Sequence, residues 1–451
     1  MDICVNTKRN MCERKMTTMK LNRFAVFCFC FVSTLLLDGH CSSCYGEDST
    51  TKDWYQWRGP NRDGISTEKG LANTWGDAGP SLVYQVEGMG KGMSSLSIAN
   101  GRFFTIGNVG DQVHLICREI KNGELVWRTP FDSSKKAPNG TPTIDPQMNR
   151  VYAVSFDGML VCCNSETGET VWKKSFTTDF DGKMESGWGV SESPLIEGDK
   201  LICTPGGKKA MVVALNKSNG DTIWTGPAPE GNLKGNDGAG YSSVVISNAG
   251  KVKQYIQLIG HGIVSYSAET GELLWNYDRV ANRTANIPTP IVKNDYVFCS
   301  TGYDDGGSAL LQVKKSGKRL EVKEVYYKTN KELQNHHGGM VMIGDFVYMG
   351  HGHNNGFPAC IRWKTGENVW GKERGAGSGS AAIVAADDKL YFRYQDSTMA
   401  LIDTNPKKYK LLSSFKLPTH DGESWPHPVI HQGRLYIRDQ DHLQCFDIQR
   451  K

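Results

Sequence analysis

The chain has 451 residues, with 52 Lys and Arg against 48 Asp and Glu, and a formal net charge of +4. Much of this small excess lies in the first 46 residues, no basic face is evident, and nucleic acid is therefore not expected as a partner. Glycine contributes 50 residues and aromatic residues 10% of the chain, a composition typical of turn-rich all-β proteins.

The first element in chain order is an apolar run of 14 residues, Phe24–Leu37, preceded by Lys20 and Arg23. Such a run is too short to span a bilayer as a helix. It predicts a signal peptide within a leader of residues 1–46, and therefore an exported, periplasmic or extracellular protein with no integral membrane segment in the mature chain. A membrane anchor is the alternative interpretation.

Residues 47–81 carry no strand repeat. An aromatic cluster around a Gly-Pro turn, Trp54–Pro60, stands out within them. We predict that this stretch is a clasp that plugs or crosses one face of the domain. The domain itself is predicted to occupy residues 82–451.

A glycine-turn hairpin then recurs five times, each copy with a tryptophan four residues after the glycine. The pairs are Gly123 and Trp127, Gly168 and Trp172, Gly220 and Trp224, Gly271 and Trp275, and Gly366 and Trp370. Successive glycines are 45, 52, 51 and 95 residues apart, so the last step spans two periods. Alternating apolar runs around a glycine turn predict β-hairpins. A period of roughly 40–50 residues with four short strands is typical of a β-propeller blade.

The repeats divide the chain into eight units. Their innermost strands are predicted to begin near Ser95, Thr141, Ser193, Ser242, Pro288, Gly339, Ser380 and Pro426. The fifth unit has Lys315–Lys318 in place of the signature and the seventh has Asn405-Pro406. The last unit, Pro428–Ile448, offers three strands, and Leu82–Val86 is predicted to supply the missing fourth. We therefore predict an all-β, eight-bladed propeller, with seven blades as the alternative, closed by an N-terminal strand that completes the last blade.

Cysteine recurs six residues before the turn glycine, at Cys117, Cys162 and Cys360, and Cys445 takes the same place in the last unit. This position predicts small packing side chains between neighbouring sheets. The pair Cys162-Cys163 lies within a predicted strand, where consecutive side chains point to opposite faces, so a disulfide between them would need a distorted peptide.

The five hairpins resemble those of the quinoprotein, or pyrroloquinoline-quinone-like, propellers. More narrowly, the motif order is similar to that of secreted bacterial PQQ-like repeat proteins, on the segments Trp57–Pro60, Cys203–Gly207, Asn286–Pro290, Asn335–Gly339, Gly377–Ser380 and Trp425–Pro428. The resemblance implies the fold, with each tryptophan docking its blade on the next. It leaves function open, because such rings include dehydrogenases, scaffolds and binding modules.

Chemistry is expected at the channel mouth, where the loops leading into the innermost strands converge. The candidate ligand-binding residues on these loops are Trp188, Tyr241, Arg283, Asn286, His336, His337, Arg374, Trp425 and His427. A metal site is a further hypothesis, since imidazole and carboxylate suit divalent metals. Its candidate ligands are Asp304, His336, His337, His351 and His353, and the alternative is that the histidines only cap backbone groups.

The function expected from these features is binding or scaffolding, with a small molecule or a protein partner at the channel mouth. The alternative is an oxidoreductase of the quinone-dependent alcohol dehydrogenase type. That function requires pyrroloquinoline quinone with calcium, with an indole such as Trp188 or Trp425 stacked on the quinone and oxygen ligands from residues such as Asp237 or Glu423. The family's ordered ligand set and a haem-binding Cys-x-x-Cys-His motif are not found in the sequence.

Overall fold

The computed structural model describes residues 53–317, 319–423 and 425–451. The predicted signal peptide and leader, residues 1–46, lie outside this part of the chain. The described residues form eight four-stranded antiparallel sheets arranged as an eight-bladed propeller. The all-β prediction with eight blades is thus confirmed, and the seven-bladed alternative is wrong.

The first half of the ring contains strand β1 and blades one to four. The strands are β1 (Ser81–Val86), then β2 (Ser97–Ala99), β3 (Arg102–Val109), β4 (Gln112–Glu119) and β5 (Leu125–Asp132) in blade one, β6 (Thr143–Asp145), β7 (Arg150–Val154), β8 (Met159–Asn164) and β9 (Thr170–Ser175) in blade two, β10 (Leu195–Glu197), β11 (Lys200–Cys203), β12 (Val212–Asn216) and β13 (Thr222–Gly226) in blade three, and β14 (Val245–Ser247), β15 (Gln254–Ile259), β16 (Gly262–Ser267) and β17 (Leu273–Tyr277) in blade four.

The second half contains blades five to eight. Their strands are β18 (Ile291–Lys293), β19 (Tyr296–Ser300), β20 (Gly307–Ser316) and β21 (Arg319–Thr329), then β22 (Met340–Ile343), β23 (Phe346–His351), β24 (Phe357–Arg362) and β25 (Glu367–Asn368), then β26 (Ala381–Ala386), β27 (Lys389–Tyr394), β28 (Thr398–Asp403) and β29 (Leu411–Lys416), and finally β30 (Val429–His431), β31 (Arg434–Asp439) and β32 (His442–Asp447).

Among the residues that the structure describes, helical structure is limited to short segments between strands. Helix α1 spans Phe176–Phe180, and two 3₁₀ turns span Ala249–Lys251 and His353–Asn355. Within residues 53–317, 319–423 and 425–451, no helix is long and apolar enough to cross a bilayer.

The ring closes as predicted, because β1 pairs antiparallel with β32 and completes blade eight. The register places Tyr84 opposite Cys445 and Val86 opposite Leu443, and the sheet order is β1, β32, β31, β30. The outer edge of β32 is thereby paired rather than left as a template for association. The first and last strands of the propeller therefore share one sheet.

The outer-strand aromatic of one blade packs on the turn glycine of the next. Trp127 and Trp172 lie over Gly168 and Gly220, where an added Cβ atom would come within 2.6 and 2.9 Å of the indoles. The same two indole N–H groups donate to the carbonyl three residues before each glycine, at 3.1 and 3.3 Å. The five turn glycines have φ between 71° and 78°, so the turn conformation and the indole both favour glycine.

The cysteines fill the spaces between blades. The seven cysteines within the described part of the chain are buried and free. In β8, Cys162 packs between blades two and three and Cys163 between blades one and two. Their side chains thus point to opposite faces, as the strand geometry requires.

The clasp, from residue 53 onward, crosses the channel formed by the inner strands. Backbone N–H groups of Ile98 and Ile144, in blades one and two, donate to the carbonyls of Trp54 and Tyr55 at 2.8 Å. Further along the clasp, the backbone N–H of Ser66 donates to the carbonyl of Ala385, in blade seven, at 2.8 Å. Because one short segment contacts blades one, two and seven of the ring, it crosses the channel.

Candidate functional site

A cavity of about 370 Å³, which we call the cup, lies between the clasp and one mouth of the channel. It lies where the loops leading into the inner strands converge. Its lining consists of Trp57, Arg58, Met93, Ala137, Asn139, Phe156, Trp188, Ser191, Ser193, Tyr241, Ser243, Ala285, Ile287, Pro288, Thr289, Tyr303, His336, His337, Gly339, Glu423, Trp425, Pro426 and His427.

Trp57 and Arg58 of the clasp form the floor of the cup. The Trp57 ring lies 4.5 Å from the ring of His427, centroid to centroid, and its N–H donates to Thr289 Oγ1 at 3.4 Å. Arg58 donates to the carbonyl of Asp63 at 3.0 Å and to the carbonyl of Met340. Arg58 also lines a second cavity of about 370 Å³ on the opposite side, so the clasp divides the channel into two compartments.

One wall of the cup is a cluster of aromatic and imidazole rings. His336 stacks on His353 at 4.2 Å and tilts against His337 at 4.2 Å. His337 lies 5.0 Å from Trp425. Burial lowers the pKa of His336 to about 2 and the pKa of His337 and His427 to about 3. These three imidazoles are therefore neutral at ordinary pH.

A chain of hydrogen bonds fixes His336. Its Nδ1 lies 2.5 Å from Ser380 Oγ and its Nε2 lies 2.5 Å from the Tyr303 hydroxyl. Asn354 Oδ1 accepts from both Ser380 N and Ser380 Oγ, at 3.1 and 3.3 Å. Both ring nitrogens of His336 are thus occupied by the protein.

Charge is scarce in the cup. Among its described lining residues, Arg58 supplies the cation and Glu423 the carboxylate. Arg58 is buried and directs its guanidinium to backbone carbonyls, and burial lowers its pKa to about 10. The surface presented to a ligand is consequently aromatic and hydrogen-bonding rather than ionic.

The structure brings six of the predicted ligand-binding residues into the cup: Trp188, Tyr241, His336, His337, Trp425 and His427. Asn286 is instead buried behind the wall, where its side-chain amide donates to Glu185 Oε2 at 2.5 Å. Burial raises the pKa of that glutamate to about 7. Arg283 is exposed outside the cup, and Arg374 lines a separate outer groove.

The predicted metal ligands do not converge in the same way. Within the described residues, no group of three or more His, Cys, Asp or Glu side chains is placed to hold a metal ion. Asp304 accepts from Thr284 Oγ1 at 2.6 Å. His351 lines the outer groove and pairs with the backbone of Gln334. The metal site stays a prediction that this geometry does not support.

Sequence reasoning missed several residues of the cup, most clearly Tyr303 and the two floor residues. The Trp57-Arg58-Gly59-Pro60 turn was a visible signal, but nothing in it indicated that its side chains enter the channel. Tyr303 follows the apolar run of β19 and lies in a loop between strands, so its position at the mouth follows from the blade topology alone.

The residues present do not fit calcium-bound pyrroloquinoline quinone, the group that the fold resemblance implies. Such a site needs several carboxylate and amide oxygens around the metal, whereas Glu423 is the carboxylate found among the described lining residues.

Comparison with protein families gives one match over more than half of the chain. A model of the family described as outer membrane protein assembly factor BamB matches residues 115–372. Among curated proteins, quinoprotein alcohol dehydrogenase PedH from Pseudomonas putida is 33% identical over 89 residues, which is 19% of this chain and 14% of the relative. The matched stretch is thus a small part of that enzyme.

Solved structures that share this fold include BamB and quinoprotein alcohol dehydrogenases. BamB from Moraxella catarrhalis matches with a TM-score of 0.57 and 14% identity, over 82% of this chain and 99% of that one. The quinohemoprotein alcohol dehydrogenase from Comamonas testosteroni matches with a TM-score of 0.63 and 12% identity, over 88% and 81%. At these identities the likeness shows the fold alone, a PQQ-like propeller.

Proposed function

This chain belongs to the family described as outer membrane protein assembly factor BamB, and we propose that it is an exported binding propeller that seats a small ligand in the cup. Export rests on the predicted leader. The cup is the main observation that supports binding. Its volume of about 370 Å³ falls within the range of small-molecule sites, which are concave and largely apolar and contain a few polar groups.

Trp188 at the lip of the cup supports the same proposal. Its side chain is 56% exposed, although large aromatic side chains contribute most to stability and binding when they are covered. It belongs to a loop anchored by hydrogen bonds. The backbone N–H of Trp188 donates to the Tyr241 hydroxyl at 3.4 Å, and the Trp188 carbonyl accepts from Asn139 Nδ2 at 2.9 Å. An indole that is fixed in place but left exposed beside a cavity favours the interpretation that a ligand packs against it.

A protein partner is the second candidate. It is favoured by the family match over residues 115–372, since the family's name concerns the assembly of outer membrane proteins. With such a partner, a side chain or an extended segment would occupy the cup. The alcohol dehydrogenase alternative is not proposed, because the oxygen ligands of the cup do not fit its cofactor.

Binding of the neutral fluorophore Nile red to the purified protein tests the proposal. We expect saturable binding that is weakened about tenfold or more by Trp188→Ala, since truncating a central aromatic contact typically costs about 1–2 kcal/mol or more. The matched control is Leu125→Ala, which also removes an exposed apolar side chain but lies in β5, outside the cup.

Loss of saturable binding in the wild-type chain, or equal affinities for the Trp188 and Leu125 variants, would refute a ligand site in the cup. Displacement of the fluorophore by an unfolded outer-membrane-protein peptide would assign the cup to a protein partner. Dye reduction with an alcohol after addition of pyrroloquinoline quinone and calcium would favour the dehydrogenase alternative.

A further inference from the structure

We propose that the ligand of the cup is a neutral polyol with one apolar face, the chemistry of a pyranose sugar. The proposal rests on the proposed function, ligand binding in the cup. It goes further because the hydrogen bonds within the wall determine which polar atoms remain for a ligand. On Tyr303, Tyr241 and Asn139, those atoms are acceptors.

The direction of the hydrogen bonds at Tyr303 follows from its neighbours. Asn354 Oδ1 accepts from the Ser380 N–H at 3.1 Å, which identifies this atom as the oxygen, and the Ser380 hydroxyl donates to the same atom at 3.3 Å. Ser380 Oγ must then accept from His336 Nδ1–H. The Nε2 of this neutral imidazole has no proton, so the Tyr303 hydroxyl donates to it at 2.5 Å. The Tyr303 oxygen keeps lone pairs and no free proton.

Tyr241 is oriented in the same sense by a second chain. The Ser186 hydroxyl donates to the carbonyl of Thr284 at 2.7 Å, and a carbonyl oxygen can only accept. The contact of 2.6 Å between Ser186 Oγ and the Tyr241 hydroxyl is therefore donated by the tyrosine. Its proton is committed to the wall. Its oxygen accepts from the backbone N–H of Trp188 at 3.4 Å and keeps one further acceptor site for a ligand.

Asn139 repeats the pattern with an amide. Its Nδ2 donates to the carbonyl of Trp188 at 2.9 Å and to Ser191 Oγ at 3.0 Å. The Ser191 hydroxyl itself donates to the carbonyl of Gly189 at 3.3 Å. Both amide hydrogens of Asn139 are thus used within the protein, and the amide oxygen is the atom left for a ligand.

The buried polar atoms near the cup add no donor to its surface. The indole N–H of Trp425 has no acceptor among the described residues, but its nitrogen is covered by the protein. The polar atoms that remain for a ligand are therefore the acceptors of the two phenols and Asn139. A ligand that satisfies them must donate, as hydroxyl groups do and as a carboxylate does not.

The rest of the lining matches the apolar side of such a ligand. Indole faces are electron-rich, and the axial C–H groups of a pyranose ring pack against them with their weakly positive hydrogens. Trp57 at the floor and Trp188 at the lip provide such rings. The histidines are neutral, and Arg58 is engaged by two carbonyls, so an anion entering the cup would lose hydration with little return.

Calorimetric titration of the full chain with neutral sugars tests the proposal. The probes are glucose, galactose, N-acetylglucosamine and their β-1,4-linked disaccharides, compared with choline, gluconate and cyclohexanemethanol. We expect saturable binding of at least one sugar and weaker or absent binding of the comparison probes, because a site built to bond hydroxyls rejects analogues that lack them.

Tyr303→Phe should weaken binding of that sugar about five- to tenfold, since it removes an acceptor and leaves the ring. The matched control is Tyr327→Phe, which removes a hydroxyl that donates to the Gly306 carbonyl at 3.0 Å outside the cup. Sugar affinity of this control should equal that of the wild-type chain.

Three results would overturn the inference while leaving the cup as a binding site: Nile red binds but no sugar does, choline or gluconate binds more tightly than every sugar, or Tyr303→Phe binds the sugar as the wild-type chain does. Failure of Nile red and of all sugars to bind would refute the proposed function as well.

Discussion

At the scale of single residues, Arg438 ties the last blade to the first. This side chain is 1% exposed. Its guanidinium donates to the carbonyls of Ile106 at 2.7 Å, Gly90 at 2.8 Å and Ser94 at 3.1 Å. These acceptors belong to blade one and the segment leading into it, whereas Arg438 belongs to β31 of blade eight. One side chain thus supplements the strand pairing that closes the ring.

We expect Arg438→Met to lower the free energy of unfolding by about 3–5 kcal/mol, because it leaves several buried carbonyls without donors. Arg362→Met is the control, since Arg362 makes an exposed pair with Glu367 at 3.3 Å and should cost less than about 1 kcal/mol. Urea denaturation of both variants measures the difference. Equal costs would show that the Arg438 contacts contribute nothing beyond a surface pair.

Residue identity alone predicted six side chains of the cup but not their roles. Asn286 was expected at the mouth, yet its amide donates to Glu185, which lies 101 positions earlier in the chain. That pairing depends on how two blades meet, and no local pattern encodes it. The direction of the hydrogen bonds at Tyr303 is equally non-local, since it is set by Ser380 and Asn354 in two other loops.

At the scale of elements, the repeated hairpin is both a fold unit and a docking device. In blades one and two, Trp127 and Trp172 reach the next blade, where each covers the turn glycine and donates to the carbonyl three residues earlier. Tyr326 of blade five does the same for Gly366, and its hydroxyl donates to the Trp363 carbonyl at 3.2 Å. The sequence pattern identified five hairpins by their tryptophans, but it could not show that a tyrosine serves this role in blade five.

Two glycine substitutions separate the docking contact from turn geometry. Gly168 and Gly101 have similar φ, 76° and 73°, but a Cβ at Gly168 would lie 2.6 Å from the Trp127 indole and one at Gly101 would meet nothing within 4 Å. Gly168→Ala should therefore destabilise the protein by about 2–4 kcal/mol, through backbone strain plus overpacking, and Gly101→Ala by about 1 kcal/mol.

The comparison of these two variants by thermal or urea unfolding decides whether the indole matters. If both alanines cost the same, the tryptophans do not dock the blades in solution, and their spacing reflects the hairpin alone. A larger cost for Gly168→Ala that disappears in a Trp127→Ala background would assign the excess to the contact.

At the scale of the whole molecule, the clasp divides the central channel of the ring into two cavities. The number of blades and the closure by β1 followed from the sequence, because the hairpin period and the missing fourth strand are both visible there. The path of residues 53–72 did not, since a segment without periodicity has no signal that specifies which face it crosses. Two of its aromatic residues lie in different compartments, with Trp57 in the cup and Tyr55 in the opposite cavity.

The affinity of Nile red for Trp57→Ala and Tyr55→Ala, measured side by side with the wild-type chain, tests this division most directly. The two variants remove an aromatic ring from the same clasp, two residues apart, on opposite sides of the partition. We predict about tenfold weaker binding for Trp57→Ala, because the floor of the site is lost, and unchanged binding for Tyr55→Ala. Equal effects of the two variants, or a larger effect of Tyr55→Ala, would contradict a ligand site in a cup closed by the clasp.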